Sequence, residues 1–429
     1  MAGGLRSDRT CDRLAIMRPL DLAYLVAALV TSPVWLYRMV RTGRIRTDWS
    51  ARFGRGASIP RTERPRLLIH AVSVGEVNAL RVLIPYLAAG DDAPEIVLSV
   101  TTDTGIGQAR ALFGDTCSVV RFPFDFSRSV RRLLDRTQPD VVACVELELW
   151  PSFMRLCEQR GIPVAVINGR LSARSARRYG WVRPFVRRSF ARLAVAAVQD
   201  ETIADRFRSL GTAPDRVVVT GTMKWDTAQI EDEVEGADAL AAAMGIDRQR
   251  PLVVGGSTAP DEHALLNDAV PTGTQLLCAP RRPEWCDGAA EALPGCRRRT
   301  DPRPAKTGGD RFLLDTIGEL RAAYALADVV VVGRSFGRLY GSDMMEPIAL
   351  GKPTIVGPAV SDFQTTMETL LAGDGIRQVD RAGLAAAIES LLSDAVAARE
   401  LAARGRAVIQ AQQGASGRNA VLLRSLFEA

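Results

Sequence analysis

From Arg66 onward, short apolar runs alternate with longer amphipathic stretches: LLIHAV, EIVLSV, VVACVEL, PVAVING, LAVAAVQD and RVVVTG. The runs are rich in β-branched residues and nearly continuous in apolar character, as a strand covered on both faces requires. The helix-length segments between them supply the covers. The pattern predicts a parallel sheet with crossover helices, a Rossmann-like unit. It breaks at the acidic, Ala-rich stretch TAQIEDEVEGADALAAAMGIDRQR, Thr227 to Arg250, and resumes with LVVGGS, TQLLCAP, RFLLDT, DVVVVG and PTIVGP. A second unit of the same α/β class is therefore expected. The boundary falls inside the acidic stretch, giving residues 46–228 and 229–429, with ligands in a cleft between the halves. The Pro- and Arg-rich segment Cys296 to Gly309 is expected to be an exposed, mobile loop. The chain from Leu384 to Ala429 reads as helices packing back across the domains.

Ahead of this pattern, in residues 1–45, lies a different one. Leu20 to Val40 (LDLAYLVAALVTSPVWLYRMV) is mostly apolar, with Trp35 and Tyr37 near its end and Arg38, Arg41, Arg44 and Arg46 at and beyond it. Its length is near that of a bilayer-spanning helix, and the arginines would hold that flank in the cytoplasm. An Arg-rich continuation does not supply a signal-peptide cleavage site. The expected role is a membrane anchor, spanning or monotopic; a buried amphipathic helix is the alternative.

Composition narrows the classes. A chain of 429 residues is too long for one compact core, so two domains are the natural reading. A formal charge of +6, carried mostly by arginine, suits an anionic partner such as phosphate or a lipid head group. Cys11, Cys117, Cys144, Cys157, Cys278, Cys286 and Cys296 form no C-x-x-C pair and several lie in apolar runs, which reads as reduced structural thiols. With His70 and His263 the only histidines, a His-rich metal site is not expected.

Four groups of residues carry candidate chemistry. Glu76, in HAVSVGE, follows a strand and starts a helix expected over Val77 to Leu87. A carboxylate there sits at the ligand-binding edge of a parallel sheet, or merely offsets the helix dipole. In VELELWP, strand alternation would send Glu146 and Glu148 to the same side, and two acids near the end of a buried strand need partners or a function. Ser73, Gly75, Arg170 and Arg174 stand near these in sequence as candidate acceptor contacts. Eight arginines between Arg170 and Arg192 could grip phosphates or form a solvated basic face. In the second half, Gly255-Gly256-Ser257-Thr258, Gly318-Glu319-Leu320 and Gly341 to Pro347 are turns where backbone amides can approach phosphate. No G-x-x-x-x-G-K-[ST] or G-x-G-x-x-G occurs, which weighs against a P-loop NTPase or a dinucleotide oxidoreductase. Nucleic-acid binding loses ground because the basic run lacks a known binding motif.

Taken together, the blocks HAVSVGE, TTDTG, VELELWP, INGRLSARS, VQDE, VTGTMKWD, APRRPE, DTIGELRAAYALADVVVVG and GSDMMEP resemble the bacterial Kdo transferases. These GT-B glycosyltransferases add 3-deoxy-D-manno-octulosonic acid (Kdo) to the lipid A precursor. The resemblance covers roughly residues 20–420. It implies an inverting, metal-independent transfer from CMP-Kdo at the cytoplasmic side of the inner membrane, with no cofactor. Glu76 matches the general base, and Glu146 and Lys224 match positions that stabilise the transition state. Pro280 and Arg281, then Ile317, Gly318 and Glu319, then Asp343, Met344, Met345 and Glu346 match the CMP-binding segments. Three departures stand out. Asp343 occupies the place of an asparagine, Arg282 that of a histidine in the donor loop, and Ala259 that of a histidine after Ser257-Thr258. Two alternatives follow: a related transferase with another nucleotide sugar or acceptor, or a non-catalytic lipid- or nucleic-acid-binding protein on the same scaffold.

Overall fold

The computed structural model describes residues 19–41, 47–303 and 308–428. These fall into two compact units, one running to Met223 and resuming at Gly414, the other Lys224–Gln413. The first holds strands β1 (Arg66–Ala71), β2 (Glu95–Val100), β3 (Ser118–Arg121), β4 (Val141–Val145), β5 (Val164–Gly169), β6 (Val195–Val198) and β7 (Val217–Val219). They form one parallel sheet in the order β3-β2-β1-β4-β5-β6-β7. Strand order reverses beside β1, the point at which doubly wound sheets bind ligands. β1, β4 and β5 are buried along their whole length, which explains their unbroken apolar sequences. Even Arg66, at the start of β1, is fully buried, and its guanidinium meets Glu95 at 2.6 Å.

The second unit repeats the plan with β8 (Leu252–Thr258), β9 (Gln275–Pro280), β10 (Arg297–Arg298), β11 (Arg311–Leu313), β12 (Val329–Val332), β13 (Thr354–Val356) and β14 (Arg377–Gln378). Its parallel order is β10-β11-β9-β8-β12-β13-β14.

Several expectations are corrected. The helix expected over Val77 to Leu87 is two, Val74–Ala79 and Leu83–Ala88. Pro85 has no N–H and its ring would clash with a carbonyl four residues back, so it sits in the first turn of a new helix. The loop expected from Cys296 contains β10, paired to β11; residues 304–307 lie outside the described residues. The contiguous split of the chain also changes. Trp225 and Ala228 are buried in the second unit's core, whereas Ala415, Ala420 and Leu423 of the last helix, Ala415–Ser425, are buried against the first sheet's core. The chain thus crosses between units twice.

The helix Pro19–Arg41 is long and apolar enough to cross a membrane. Leu29, Val30 and Val34 on it are 64%, 74% and 59% exposed. Its N-terminal end is nonetheless seated on the first unit. Asp21 accepts the Ser127 amide at 2.8 Å, and the Tyr24 ring packs edge-on against Phe126. Six cysteines are free thiols, four of them buried; Cys11 lies outside the described residues.

Candidate active site

The carboxyl edge of the first sheet is built around Glu76. Ser73 caps the short helix Val74–Ala79, its hydroxyl accepting the Glu76 amide at 3.4 Å and donating to Glu76 Oε1 at 2.9 Å. The Val72 amide donates to Oε2 at 2.7 Å. This reciprocal cap locks the rotamer. Half-burial raises the Glu76 pKa above the usual range, although the Val72 and Ser73 hydrogen bonds oppose it, and the charge of Glu146 adds to the rise. A carboxylate so held is more basic than a solvated one. Gly75, beside it, is exposed.

The expected alternation of Glu146 and Glu148 does not apply, because β4 ends at Val145 and Glu146 turns the chain with φ +60°. That left-handed conformation is costly for a glutamate and places its carboxylate within electrostatic range of Glu76. Glu148 is the acid that the sequence underrated. Half-buried and hydrogen-bonded to Trp150 Nε1 at 2.9 Å, it is pushed to about 7 by burial first, then by Glu76 and Glu146. Its charge in turn helps burial raise the Tyr179 pKa, so the helix Ala173–Trp181 approaches the cluster. The elements therefore gather three carboxylates and a phenol. Arg170 and Arg174 are exposed, and no ion pair joins them to these acids among the described residues.

In the second unit the equivalent edge gathers most of the other candidates. Arg281 donates its amide to the Thr258 carbonyl at 3.0 Å, joining the ends of β9 and β8; the Arg281 side chain is exposed beside half-buried Pro280. Gly318 has φ +99°, and Ile317 beside it is 88% exposed. Glu319 pairs with Arg299 at 3.0 Å and accepts the Thr316 hydroxyl. Met344 and Met345 are buried, so they support the loop from below. Asp343 Oδ1 accepts the Met345 amide at 2.9 Å, capping the helix Met345–Ala349. Part of Asp343 meets solvent, yet crowding by the surrounding chain raises its pKa, against the pull of the Met345 amide and the Lys224 ammonium. Lys224, exposed at the start of this unit, is thereby placed beside Asp343.

Two supporting residues escaped sequence reading. Tyr324 is buried with its hydroxyl bonded to Ser257 and near Glu346 and Asp343. A Cβ on Gly256 would collide with that hydroxyl, so the glycine is required. Glu262 accepts four amides: Ala259 at 2.8 Å, Arg334 at 2.7 Å, Ser335 at 2.9 Å and Phe336 at 3.0 Å. It ties the loop after β12 to the turn after β8, where Arg334 and Ser257 adopt φ +57° and +55°. The available signal was an acid opening a helix just past a Gly-Gly-Ser-Thr turn. Among the described residues no group of three or more His, Cys, Asp or Glu side chains could hold a metal ion.

Two Rossmann-like units in one chain, each gathering candidate residues at the carboxyl edge of a parallel sheet, are the hallmark of a GT-B-type glycosyltransferase. The family profile described as 3-Deoxy-D-manno-octulosonic-acid transferase (kdotransferase) matches residues 47–227. A 3-deoxy-D-manno-octulosonic acid transferase of Bordetella pertussis is 32% identical over 90% of this chain and 94% of its own. Its Haemophilus influenzae counterpart is 30% identical over 97% of each. The chain belongs to the 3-deoxy-D-manno-octulosonic acid transferase family. Among solved structures, the UDP-GlcNAc 2-epimerase of Neisseria meningitidis bound to UDP-GlcNAc superposes with a TM-score of 0.57 at 13% identity, covering 85% of this chain and 100% of that one. That likeness concerns the fold alone.

Proposed function

We propose that this enzyme transfers Kdo from CMP-Kdo, with inversion, to a lipid A precursor, as a step of lipopolysaccharide synthesis at the inner membrane. Glu76 is the general base: it takes the proton from the acceptor hydroxyl as that oxygen attacks the anomeric carbon, while CMP departs. The observation that carries the reading is the Glu76 carboxylate itself, oriented by Val72 and Ser73 and made more basic by half-burial. Glu146 and Lys224 stabilise charge that develops at the reacting centre. Ser73, Gly75, Arg170 and Arg174 face the acceptor. Pro280, Arg281, Ile317, Gly318, Glu319 and Asp343 to Glu346 hold the CMP moiety, Arg281 offering an exposed guanidinium for phosphate or carboxylate. The helix Pro19–Arg41 keeps the enzyme at the membrane that carries its acceptor.

The test is to incubate enzyme, CMP-Kdo and lipid A precursor and weigh the product by mass spectrometry. The reading expects a mass gain of one or more Kdo units with wild type and none with Glu76→Gln. Normal transfer by a folded Glu76→Gln enzyme overturns the base assignment. A second reading, another nucleotide sugar on the same scaffold, is favoured by Asp343, a carboxylate where the family carries an amide. Thermal shifts with a panel of nucleotides separate the two, since CMP must stabilise most under the first.

A further inference from the structure

The loop that follows β12 carries Arg338 and Tyr340 just ahead of Asp343 to Glu346. It is fixed to its neighbours. Glu262 holds its Arg334, Ser335 and Phe336 amides, and Ser335 binds the loop after β13, its hydroxyl accepting the Gly357 amide at 2.8 Å and its carbonyl the Ala359 amide at 2.9 Å. Further along, the Tyr340 carbonyl accepts the Asp362 amide at 3.1 Å. Gly341, with φ +90°, lies so close to the same loop that a Cβ on it would stand 3.1 Å from Val360 Cα. The two loops therefore form one wall. The facing wall is the helix Gln364–Ala372, whose positions 364, 367, 368 and 371 fall on one side. Between the walls is a recess of about 490 Å3. Its floor is apolar, with Val360 and Met367 buried, and its rim holds Arg338, Tyr340, Gln364 and Glu368, all exposed. Gln364 Nε2 donates to Glu368 at 3.0 Å, so that carboxylate has a partner. Arg338 is in no ion pair among the described residues.

We propose that this recess seats the sugar acid of the nucleotide donor, with Arg338 gripping its carboxylate and the Tyr340 ring covering its carbon face. The inference rests on the CMP-Kdo reading above and extends it from the nucleotide to the sugar. Kdo carries its carboxylate on the anomeric carbon, which in the donor also bears the phosphate. A guanidinium for that carboxylate has to stand beside the segment that holds CMP, and the chain runs from Arg338 directly into Asp343 to Glu346. A planar guanidinium meets a carboxylate through two parallel hydrogen bonds, which an uncharged sugar cannot accept in that form. The rest of the ligand is a ring and a short chain bearing hydroxyls. An apolar floor with an aromatic ring, an amide and a carboxylate spaced along its rim suits that mixture. A second phosphate is a poorer occupant, because the Glu368 carboxylate would repel its double charge while Arg338 alone attracts it.

Kinetics of the full-length enzyme with CMP-Kdo, read beside calorimetric titration with CMP, test the assignment. Arg338→Gln shortens the exposed side chain slightly and removes its charge. It is expected to raise the KM for CMP-Kdo about tenfold or more, while the Kd for CMP stays within about twofold of wild type. Arg338→Lys should recover part of the loss, since the charge returns without the fork. Tyr340→Ala should raise the same KM about threefold or more and again spare CMP. The proposal is overturned if folded Arg338→Gln keeps the wild-type KM. It is also overturned if CMP binding weakens in step with KM, which would place Arg338 on the nucleotide. The reading on which it rests fails separately. Should the wild-type enzyme transfer from a different nucleotide-linked sugar acid, CMP-Kdo is lost as donor, and the recess is upheld by the same rise in KM with that donor. An uncharged sugar as the true donor would sink both.

Discussion

Tyr24 donates its phenolic hydrogen to Asp125 at 3.0 Å, across a sequence separation of 101 residues. The same buried carboxylate accepts the Ser152 and Phe153 amides at 2.8 and 2.9 Å, capping the helix Pro151–Gln159 that follows the Glu146–Trp150 segment. The apolar N-terminal helix is thus bonded to the residue that positions the acidic loop. Removing the carboxylate leaves two amides at a buried helix start without partners, a cost of about 1–3 kcal/mol. Asp125→Ala is expected to lower thermal stability by that amount and to lower kcat more than it raises KM. Tyr24→Phe should cost about 1 kcal/mol or less, since the two amide bonds remain. Calorimetry and steady-state kinetics on the two variants decide; equal effects would disprove the hierarchy.

The same contacts bear on membrane topology. The helix starts against Asp125 to Ser127, and the chain is back on this surface by Trp49, whose ring lies 6.4 Å from Phe124. A helix of 23 residues is about 34 Å long, enough to cross the hydrocarbon core of a bilayer. Asp21, at the start of the helix, and Trp49, beyond its end, both pack on the segment Phe124 to Ser127, whereas the two ends of a spanning helix lie on opposite faces of the bilayer. The helix is therefore expected to lie in the interface. In intact spheroplasts Arg41→Cys should resist a membrane-impermeant maleimide and become labelled in inverted vesicles. Labelling from outside would show that the helix spans.

Glu148 offers a test by pH. Its folded pKa, about 7, is raised above the usual 4.5, so the folded protein holds this proton more tightly than the unfolded chain. Its favourable contribution is full below pH about 4.5 and is lost as pH rises through 7. Glu148→Gln removes that loss, and should be more stable than wild type at pH 8 by about 1–3 kcal/mol, with no such advantage at pH 4. Thermal denaturation at the two pH values reads the sign directly. A gain at pH 4 and none at pH 8 would refute it.

Most of the strand pattern could be read because parallel strands are buried on both faces and advertise it with apolar runs such as VVACV and VVVV. The strands that escaped notice, SVVR of β3, RR of β10 and RQ of β14, lie at or next to sheet edges, where polar residues are tolerated. The site was legible in part. Glu76 announces itself by standing between a strand and a helix. Glu148 does not, because its perturbation comes from folding it next to Glu76, 72 positions away. Tyr324 is likewise silent in sequence, and Glu262 shows only as an acid opening a helix. A lone acid or tyrosine acquires its role only when four amides or a serine hydroxyl converge on it.

Glu262 itself should tolerate little change. Replacing one carboxylate oxygen by an NH2 group, as in Glu262→Gln, sets a donor against two backbone donors and loses two charge-assisted bonds. A loss of about 2–4 kcal/mol is expected, with CMP binding weakened at least tenfold because the loops after β8 and β12 are no longer tied. Thermal shift and isothermal titration with CMP measure both. Unchanged CMP affinity in a destabilised variant would confine Glu262 to a structural role.

Asp343 stands where the resemblance leads one to expect an asparagine, and its surroundings say what a carboxylate there should cost. Crowding by the surrounding chain raises its pKa although part of it meets solvent; Lys224 and the Met345 amide favour the charged form, and Glu346 and Tyr324 are close by. An anionic nucleotide seated here would meet a carboxylate where an amide could have donated. Asp343→Asn keeps the oxygen that caps Met345 and removes the charge. Since the raised pKa makes wild type lose stability as pH rises above the ordinary carboxylate range, the variant should gain stability at pH 8 and not at pH 3. It should also bind CMP about three- to tenfold more tightly, a gain of roughly 1 kcal/mol. Tighter CMP binding with unaltered donor choice would mean that Asp343 tunes affinity alone. If affinity stays the same while stability rises, the carboxylate does not face the nucleotide, and the donor segment must be sought among Arg281 and Ile317 to Glu319 instead.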